Sequence, residues 1–543
     1  MTAALHAGYA TTTTINVLVI QDIGSNATVV CNGTSYSVPV AAVGDDVDTH
    51  GDRYYLDVPQ GAIKVYPGQH NTELCFSGAV EITGLSPLTR YDMTCSNAQI
   101  SAMTAPEDDD DFTLFLTTCM AVPGQSFPQG PLTTSEGVFP YIKAYVENPN
   151  TLPVPAWFNF DDTLYVDQIT AESQAMVYNS AQNKGPLKWV GIFSPAPALD
   201  TEYNYALSWC WPYYDLFPCP NTLEVHDNEL GWCYKNVNLI PQWGDHEFWN
   251  DIGIDDGGPA EFPTEFAMAK SAWNAFMGKL HPTPINATNS NAWAIRYGPV
   301  QIFTMDRCTN ASNPAVSPPL GLDETEGPVL GTAQVDDILA TVAADDAPFK
   351  IFGTSLGIRY THPENYGVTG RGGQQPMMDM GTLSLAEYNK LMTDAGGLLD
   401  LGKGNGSKPF TLALAQGDWH NGLAQLYEGA TGTHAEDFHV FCLGTATGSQ
   451  NRIEWDNTIL EGDSAHNITY KYIDPRLQTL SPTAQDIHDS WCCQVDVFGS
   501  RTPKQMSMSM VDNGTMEKQY TVWFEEGKDG NYSVVPRARV ELT

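Results

Sequence analysis

The sequence predicts an α/β protein with an all-β domain at its N-terminus, and three stretches of the chain carry this prediction. Residues 12–104 contain short β-branched or aromatic runs separated by turn residues, which is typical of a β-sandwich. Residues 112–415 alternate short apolar runs with amphipathic segments, which indicates buried strands and helices of an α/β domain. Residues from about 485 to 543 return to strand patterns and predict a terminal β unit packed on the α/β domain.

Length and one run of charge divide the chain into domains. A chain of 543 residues, 42% of them hydrophobic, is too long for one ordinary core and has ample material to bury. The acidic run 107–111 marks a boundary, because like charges repel one another and rarely lie inside an element. We therefore predict a β-sandwich over 1–105, the α/β domain over 106–480 and a C-terminal β extension over 481–543. The run itself is either a solvated linker or a calcium site.

Each predicted element follows from a local pattern. The N-terminal strands are INVLVI (15–20), ATVVC (27–31), SYSVPVAAV (35–43), RYYLDV (53–58), AIKVY (62–66) and AVEITGL (79–85). The later strands are FTLFLTT (112–118), AWFNF (156–160), NVNLIP (236–241), VQIFTM (300–305), KIFGTS (350–355), FTLALA (410–415), QMSMSMV (505–511), KQYTVWFEE (518–526) and YSVVPRARVEL (532–542). Apolar residues at three- and four-residue spacing predict helices over 263–280, 334–344 and 384–396.

The net charge narrows the choice of partners. The chain has 64 acidic and 26 basic residues, which gives a net charge of −38. Such a surface repels nucleic acid and anionic membranes, so we exclude both as partners, and it attracts divalent cations. A solvated acidic surface typical of a saline or marine habitat explains most of the excess. No apolar stretch long enough to span a membrane occurs, so we predict no transmembrane segment.

Cysteines and glycosylation sequons together favour an oxidising, extracellular setting. The 11 cysteines form an odd set, so at least one is unpaired. The N-terminus lacks the basic and apolar regions of a signal peptide, so either the signal was removed or export takes another route, such as release as part of a virion. We predict a secreted or surface-exposed protein, with a virion surface as one option. The N-x-S/T sequons are Asn26, Asn32, Asn286, Asn310, Asn405, Asn467, Asn513 and Asn531.

Polar motifs follow directly after the buried strands of the α/β domain. Ligands collect beyond the carboxyl ends of such strands, and carboxylates with imidazoles are the groups that hold two cations in hydrolytic sites. A single strand-end Asp is usually a turn residue or a helix cap, so the prediction depends on the succession of motifs. The motifs are Cys119, Asp161-Asp162-Thr163-Leu164-Tyr165, Gly244-Asp245-His246-Glu247-Phe248-Trp249-Asn250-Asp251, Asp306-Arg307 and Gly417-Asp418-Trp419-His420.

The order of these motifs resembles that of the PhoD-like alkaline phosphatases, which are calcineurin-like metallophosphoesterases. That family shows a Cys after its first core strand, then G-D-x-I-Y, D-D-H-E-x-x-N-N, L-G-x-x-Q-x-x-x-L and G-D-V-H, and here Leu330–Leu339 begins with the L-G-x-x-Q of the fourth pattern. The stretch 81–95, with Leu85 and Tyr91, resembles the end of a fibronectin type III-like domain. Over about residues 80–450, the resemblance implies a four-layer α/β sandwich behind a fibronectin- or Ig-like domain.

The same resemblance implies an activity, metals and residue roles. The activity is hydrolysis of small phosphomonoesters or phosphodiesters by a metal-bound hydroxide. The metals are Fe(3+) and Ca(2+), with other divalent metals left open. The resemblance implies that Cys119 and the Tyr165 phenolate ligate iron, with a colour from phenolate charge transfer, and that Asp162 bridges the metals. It implies that Asp245, Asn250 and Asp418 are oxygen ligands. It also implies that His246 and His420 protonate or orient the leaving oxygen and that the Arg307 guanidinium clamps the phosphate.

Departures from the family pattern leave a second function open. Asp161 replaces a Gly, Gly244 replaces the first Asp of D-D-H-E, Asp251 replaces the second Asn, and Cys308 follows Asp306-Arg307 where the family continues D-x-R-x-x-R. The alternative is a catalytically weak or inactive phosphatase-fold protein that serves as a structural or adhesive component of a virion, appendage or cell surface. It would assemble as a homo-oligomer or surface array through its N-terminal β domain. A third candidate function, that of a calcium-dependent binding module, is supported only by the acidic composition.

Single residues also have structural interpretations. Cys119 is either a metal ligand or an inert buried thiol, and Tyr165 is either a ligand or a core aromatic. The insertion 205–235 contains Trp209 and Trp211 together with Cys210, Cys219 and Cys233. It is either a wall over the site or a disulfide-stapled surface loop.

Overall fold

The computed structural model of the chain describes residues in all three predicted parts of the chain. The described residues are 3–21, 24–42, 76–96, 98–120, 126–127, 130–131, 137–161, 163, 229–244, 247, 263–286, 290–309, 330–355, 383, 385–417, 422–427, 438–443, 446, 468–473, 491–512 and 516–527. The strands predicted over 53–58, 62–66 and 532–542 lie outside these residues.

Two antiparallel four-stranded sheets form the N-terminal part of the chain, with orders β1-β2-β6-β5 and β4-β3-β7-β8. They share one core that includes Ile15, Val29 and Ile82. Strand β1 was not predicted, because Ala and Gly in AALHAGYA have low β propensity and its pairing with β2 decides its conformation. The strands are β1 Ala3–Ala10, β2 Thr14–Gln21, β3 Ala27–Cys31, β4 Thr34–Val38, β5 Ala41–Ala42, β6 Phe76–Thr83, β7 Arg90–Cys95 and β8 Ala98–Met103.

The remaining elements build the α/β part. The strands are β9 Asp111–Thr117, β10 Ser126–Phe127, β11 Gly130–Pro131, β12 Ala156–Asn159, β13 Leu239–Pro241, β14 Ala294–Tyr297, β15 Val300–Thr304, β16 Phe349–Thr354, β17 Thr411–Gln416, β18 Leu423–Tyr427, β19 Phe438–Cys442, β20 Ile468–Ile473, β21 Trp491–Phe498, β22 Gln505–Asp512 and β23 Glu517–Glu525. The α-helices are α1 Phe139–Glu147, α2 Glu229–Asn236, α3 Pro263–Ala275, α4 Thr332–Ala344, α5 Leu385–Tyr388 and α6 Leu398–Gly402. A 3₁₀ turn spans Met277–Lys279 and a π-helical turn spans Asn389–Thr393.

Two mixed sheets organise these elements. The first has the order β13-β12-β9-β21-β22-β23, with β13, β12 and β9 parallel. The second has the order β14-β15-β16-β17-β19-β18-β20, with β15, β16, β17 and β19 parallel. Strands β12, β15, β16 and β17 are buried at every residue, as expected for parallel strands covered on both faces. Their carboxyl ends therefore carry the loops that can form a site.

The two sheets pack face to face and each has helices on its outer face. Leu114 and Ile351 lie in the core between the sheets. Phe115, the neighbour of Leu114, points the other way and packs with residues of α1, α2 and α3, because successive strand residues face opposite sides. Phe352 likewise packs with residues of α4 and α6. The α/β part thus has four layers, in the order helix, sheet, sheet and helix.

The acidic run is attached to both sheets by ion pairs. Asp108 accepts a hydrogen bond from Arg296 of β14 at 2.8 Å. Asp109 pairs with Lys504, which precedes β22, at 2.7 Å. Exposed pairs of this kind contribute at most about 1 kcal/mol each. The charges at 107–111 are therefore partly neutralised by cations of the α/β part.

Among the described cysteines, five are free thiols, namely Cys31, Cys95, Cys233, Cys492 and Cys493. Cys233, the last cysteine of the insertion 205–235, is buried on α2, so this residue does not support a disulfide staple. Cys492 and Cys493 face opposite sides of β21 and lie in different cores. Cys210, Cys219 and both tryptophans of the insertion lie outside the described residues. Among the residues described, no helix is long and apolar enough to cross a membrane.

Fixed contacts dock the N-terminal sheets on the α/β part. The Asn238 side chain accepts a hydrogen bond from the Met103 backbone N–H at 3.0 Å and donates one to the Met103 carbonyl at 2.8 Å. His6 of β1 is fully buried, and its ring centroid lies 5.0 Å from that of Tyr234 on α2. Burial lowers the pKa of His6 to about 3, and a backbone hydrogen bond with Tyr234 offsets only part of that shift.

We expect His6 to make the folded protein sensitive to acid. The folded-state pKa lies below the unfolded value of 6.5, so between these values the unfolded chain binds a proton that the folded chain does not. The contribution of neutral His6 to the unfolding free energy is therefore complete above pH 6.5, and it is lost as the pH falls below that value. From pH 7 to pH 5, His6 should cost roughly 2 kcal/mol of unfolding free energy.

Replacing His6 by Gln should remove this loss, as measured by urea unfolding at pH 7 and at pH 5. Carboxylates contribute equally to wild type and variant, so the difference between the two proteins isolates His6. An identical loss of stability in both proteins would contradict the prediction.

Candidate functional site

The described part of the chain contains two of the predicted site residues, Cys119 and Arg307. Residues next to Asp162, Asp245, His246 and Asp418 are also described, and they show where the loops that carry these four positions begin. The predicted site residues outside the described part are Asp162, Tyr165, Asp245, His246, Asn250, Asp418 and His420.

Three strand ends from the two sheets meet at one point. Thr118 follows β9, Asp161 lies beyond the end of β12, and Gly417 follows β17 in the other sheet. A Cβ atom added to Gly417 would lie 2.9 Å from Cγ2 of Thr118 and 3.0 Å from Cβ of Asp161. Asp162 and Asp418 are the next residues along the chain. The loops that carry these two predicted ligands therefore start in van der Waals contact.

Cys119 lies at this meeting point in a conformation that is unusual for a non-glycine residue. Its φ is 54° and it is fully buried. Its backbone N–H donates to the Asp161 carbonyl at 3.0 Å, and its Sγ lies 4.0 Å from Oδ2 of the same residue. A left-handed non-glycine residue costs of order 1–3 kcal/mol. The surrounding contacts therefore hold a thiol and a carboxylate together away from solvent.

The pair Cys119 and Asp161 has the chemistry of metal ligands, because thiolate and carboxylate both bind cations. Asp161 stands where the family pattern has Gly, so this carboxylate is an addition to the pattern. Within the residues that the structure describes, no three His, Cys, Asp or Glu side chains lie close enough to hold a metal ion. A metal site here would therefore need further ligands from the remaining predicted residues in addition to Cys119 and Asp161.

A buried chain of hydrogen bonds braces the loop after β12 against the end of β9. Trp157 Nε1 donates to Thr117 Oγ1 at 2.6 Å, and that hydroxyl donates to Asn159 Oδ1 at 2.9 Å. Asn159 Nδ2 donates to the Asp161 carbonyl at 2.6 Å and to Thr163 Oγ1 at 3.0 Å. All five residues are fully buried. A satisfied network in a low-dielectric interior is rigid, so it holds the backbone on both sides of Asp162.

Glu247 joins the loop after β12 to the loop after β13. Its Oε1 accepts the backbone N–H of Thr163 at 2.6 Å, and its Oε2 accepts that of Gly244 at 2.8 Å. The side chain is fully buried. Glu247 lies within one of the predicted motifs, but a motif does not show which backbone groups a side chain reaches, so the sequence alone assigns it no role.

The loop after β15 contacts the loop after β13 from the other sheet. Cys308 Sγ lies 3.2 Å from the Gly244 carbonyl oxygen, to which it donates. One residue beyond β13, Gln242 accepts a hydrogen bond from Thr304 Oγ1 at 2.8 Å. In the sequence, Cys308 is only a departure from the D-x-R-x-x-R pattern. The structure shows that it ties the strand end of β15 to the residue before Asp245.

The backbone around Arg307 is held by two side chains. Asp306 Oδ1 accepts the backbone N–H groups of Cys308 and Thr309, each at 3.0 Å. Gln334 of α4 accepts the N–H of Asp306 at 2.7 Å and donates to its carbonyl at 2.8 Å. This contact gives the Gln of the L-G-x-x-Q pattern a positioning role. Arg307 itself is 1% exposed, and its phosphate-clamping role stays a prediction.

A helix, sheet, sheet and helix sandwich with its strand-end loops gathered at one edge is the fold of the metallophosphoesterases, and comparisons with known proteins confirm this likeness. No protein-family model and no curated protein sequence matches the chain. Eleven chains of solved structures match it. The structure of PhoD matches with a TM-score of 0.56 and 12% identity, over 96% of this chain and 90% of that chain.

A second match is a purple acid phosphatase, PPD1, isolated from seeds of yellow lupin (Lupinus luteus). Its TM-score is 0.54 and its identity is 11%, over 97% of this chain and 74% of that chain. At such low identity the likeness shows the fold. The resemblance inferred from the motifs is thereby confirmed at the level of architecture.

We expect the contact at Gly417 to tolerate no side chain. Gly417→Ala should push apart the ends of β9, β12 and β17, with an overpacking cost of about 1–3 kcal/mol in unfolding free energy. Chemical denaturation measures this cost. Gly278→Ala is the control, because its new methyl group would meet the movable Asn274 side chain at 3.0 Å. Equal stability losses in the two variants would contradict the tight contact.

Proposed function

We propose that this chain is a metal-dependent phosphoester hydrolase that acts on phosphomonoesters or phosphodiesters. One observation carries the proposal: Thr118, Asp161 and Gly417 are in contact at one edge of the two sheets. The predicted ligands Asp162 and Asp418 directly follow two of these residues. The likeness to two phosphatases over nearly the whole chain supports the same proposal.

The donor set fits a pair of metal ions. In this proposal, Cys119 and Tyr165 would ligate Fe(3+), and Asp162 would serve both ions. Asp245, Asn250 and Asp418 would provide oxygen ligands, partly to Ca(2+) or another divalent ion. Cys119 is the described member of this set, and a carboxylate already lies 4.0 Å from its sulfur. Bound metals would polarise the ester and provide a nucleophile at neutral pH.

The protein's own groups would orient the ester and move its protons. His246 or His420 donates a proton to the leaving alkoxide, a role that imidazole performs near neutral pH. Arg307 holds a phosphate oxygen through its planar guanidinium. The buried strand ends exclude water from the floor of the site, which strengthens each electrostatic interaction there.

The proposal extends to domain organisation and location. The N-terminal β-sandwich, residues 1–105, is of the fibronectin type III or Ig-like kind. The α/β domain spans 106–480, and residues 481–543 are its C-terminal β extension, whose strand β21 pairs with β9. We place the protein outside the cell or on a cell or virion surface, in agreement with its sequons.

Asp162→Ala should abolish metal-dependent hydrolysis. Loss of residues that only support metal ligands costs about 10–100-fold in affinity or activity, so loss of a bridging ligand should cost more. The measurements are metal content and hydrolysis of p-nitrophenyl phosphate and bis-p-nitrophenyl phosphate. The ester that is hydrolysed faster shows whether the enzyme is a phosphomonoesterase or a phosphodiesterase.

Asp336→Ala is the matched control for this experiment. Asp336 pairs with Lys390 on the outer helical layer, and its side chain is 58% exposed. The control should keep both metal content and turnover. A wild-type chain that binds no metal and hydrolyses neither ester would refute the enzyme and favour the structural or adhesive scaffold.

Tyr165→Phe should remove visible absorption from the iron-loaded protein. The expected colour arises from charge transfer by the phenolate, and phenylalanine lacks the oxygen that donates this charge. Iron content and the visible spectrum are measured on the same sample, so loss of colour is separated from loss of iron. An unchanged spectrum at equal iron content would show that Tyr165 is not a ligand.

A further inference from the structure

We propose that Glu247 is a positioning residue that sets the separation between the ligand-bearing loops after β12 and β13. Thr163, which donates to one carboxylate oxygen, directly follows Asp162, and Gly244, which donates to the other, directly precedes Asp245. Each hydrogen bond therefore lies one residue from a predicted metal ligand. The inference rests on the proposed function, because the ligands that it positions belong to that site.

Glu247 connects the segments after β12 and β13 beyond the point where the hydrogen-bonded ladder between these two strands ends. Strands β12 and β13 pair up to Asn159 and Pro241. One more backbone hydrogen bond follows, from the Gln242 N–H to the Asn159 carbonyl at 2.7 Å. Beyond it, across the described residues, the Glu247 carboxylate connects the two segments through its bonds to Thr163 and Gly244. Side-chain bonds thus replace the ladder at the positions where ligands leave the sheet.

The chemistry of the contact favours a fixed geometry. An ionised carboxylate is an acceptor only, and both of its oxygens here receive backbone N–H groups at 2.6 and 2.8 Å. Charge-assisted hydrogen bonds of this length are about twice as strong as neutral ones. Because Glu247 is fully buried, water cannot replace either bond without opening the loops.

The loop after β12 is held on both sides, by different residues. Asn159 ties it to the end of β9 through Thr117, whereas Glu247 ties it to the loop after β13. Loss of Glu247 should therefore leave Asp162 attached to β9 while Asp245 moves relative to it. Two metals that share a bridging carboxylate require a narrow range of separations, so this movement should weaken binding of the pair.

The test compares Glu247→Gln and Glu247→Asp with the wild-type full chain. Glutamine keeps the shape, but its NH₂ group would face a backbone N–H, so one loop loses its acceptor. Aspartate keeps the charge but is one methylene too short to reach both loops. In both variants we expect about 10–100-fold weaker metal binding by titration with Fe(3+) and Ca(2+), and a matching fall in kcat with a smaller change in KM.

Glu387→Gln is the matched control. Glu387 is also buried, and its Oε1 accepts the backbone N–H groups of Leu330 at 2.9 Å and Gly331 at 2.7 Å, ahead of α4. The same substitution there replaces a charged acceptor by a neutral one away from the loops after β12 and β13, and it leaves in place the one oxygen that both N–H groups share. It should lower thermal stability while metal affinity and kcat stay at wild-type values.

Backbone hydrogen exchange provides a readout that needs neither metal nor substrate. In Glu247→Gln, the amides of Thr163 and Gly244 should exchange faster than in wild type, and the control should leave both unchanged. Unchanged exchange at these amides, or wild-type metal affinity in both Glu247 variants, would overturn the inference while the proposed function stands. A wild-type chain without metal or turnover would overturn both.

Discussion

The close packing of the two sheets at the ends of their parallel strands is the constraint on which the rest of this structure depends. A Cβ atom on Gly353 of β16 would lie 2.2 Å from the Phe160 ring, and one on Gly417 would press on Thr118 and Asp161. Gly353 in the second sheet and Gly417 directly after β17 thus allow residues that follow strands of the first sheet to approach the second sheet closely. Without this approach, loops from β9, β12 and β17 could not share one site.

Polar side chains then convert this contact into a defined arrangement. The apolar core places the strand ends next to each other, but it does not orient the loops beyond them, because hydrophobic packing is not directional. Buried Asn159, Glu247 and Gln334 perform that task through hydrogen bonds to backbone groups. Each bond desolvates polar atoms, which costs energy unless the partners are well placed. Such bonds are favoured where the geometry must be fixed, as it must be beside the proposed metal centre.

The large acidic excess and the buried site follow different physical rules. Part of the run at 107–111 pairs with Arg296 and Lys504 at the surface, where solvent screens each interaction. At the strand ends, carboxylates such as that of Glu247 are fully buried and receive backbone N–H groups. The net charge therefore determines how the surface interacts with solvent. The few buried carboxylates instead fix the positions of the loops at the strand ends.

The sequence by itself determined the class of fold and the order of the motifs. Buried parallel strands appear in a sequence as continuous apolar runs, so β9, β12, β15, β16 and β17 were predictable to within a residue or two. Each run also shows which polar residues follow it. Periodicity reports the burial of a segment, which is a local property, and this is why these features were visible.

The tertiary structure alone decided which strand ends meet and which side chains connect them. Strand β1 forms because β2 pairs with it, and Cys308 and Glu247 acquire positioning roles through partners far away in the chain, Gly244 and Thr163 respectively. A hydrogen bond to a backbone group does not depend on the side chain of the residue that contributes that group, so it cannot be recognised in the sequence. A sequence can therefore identify candidate ligands, whereas the contacts that orient them depend on packing between the two sheets.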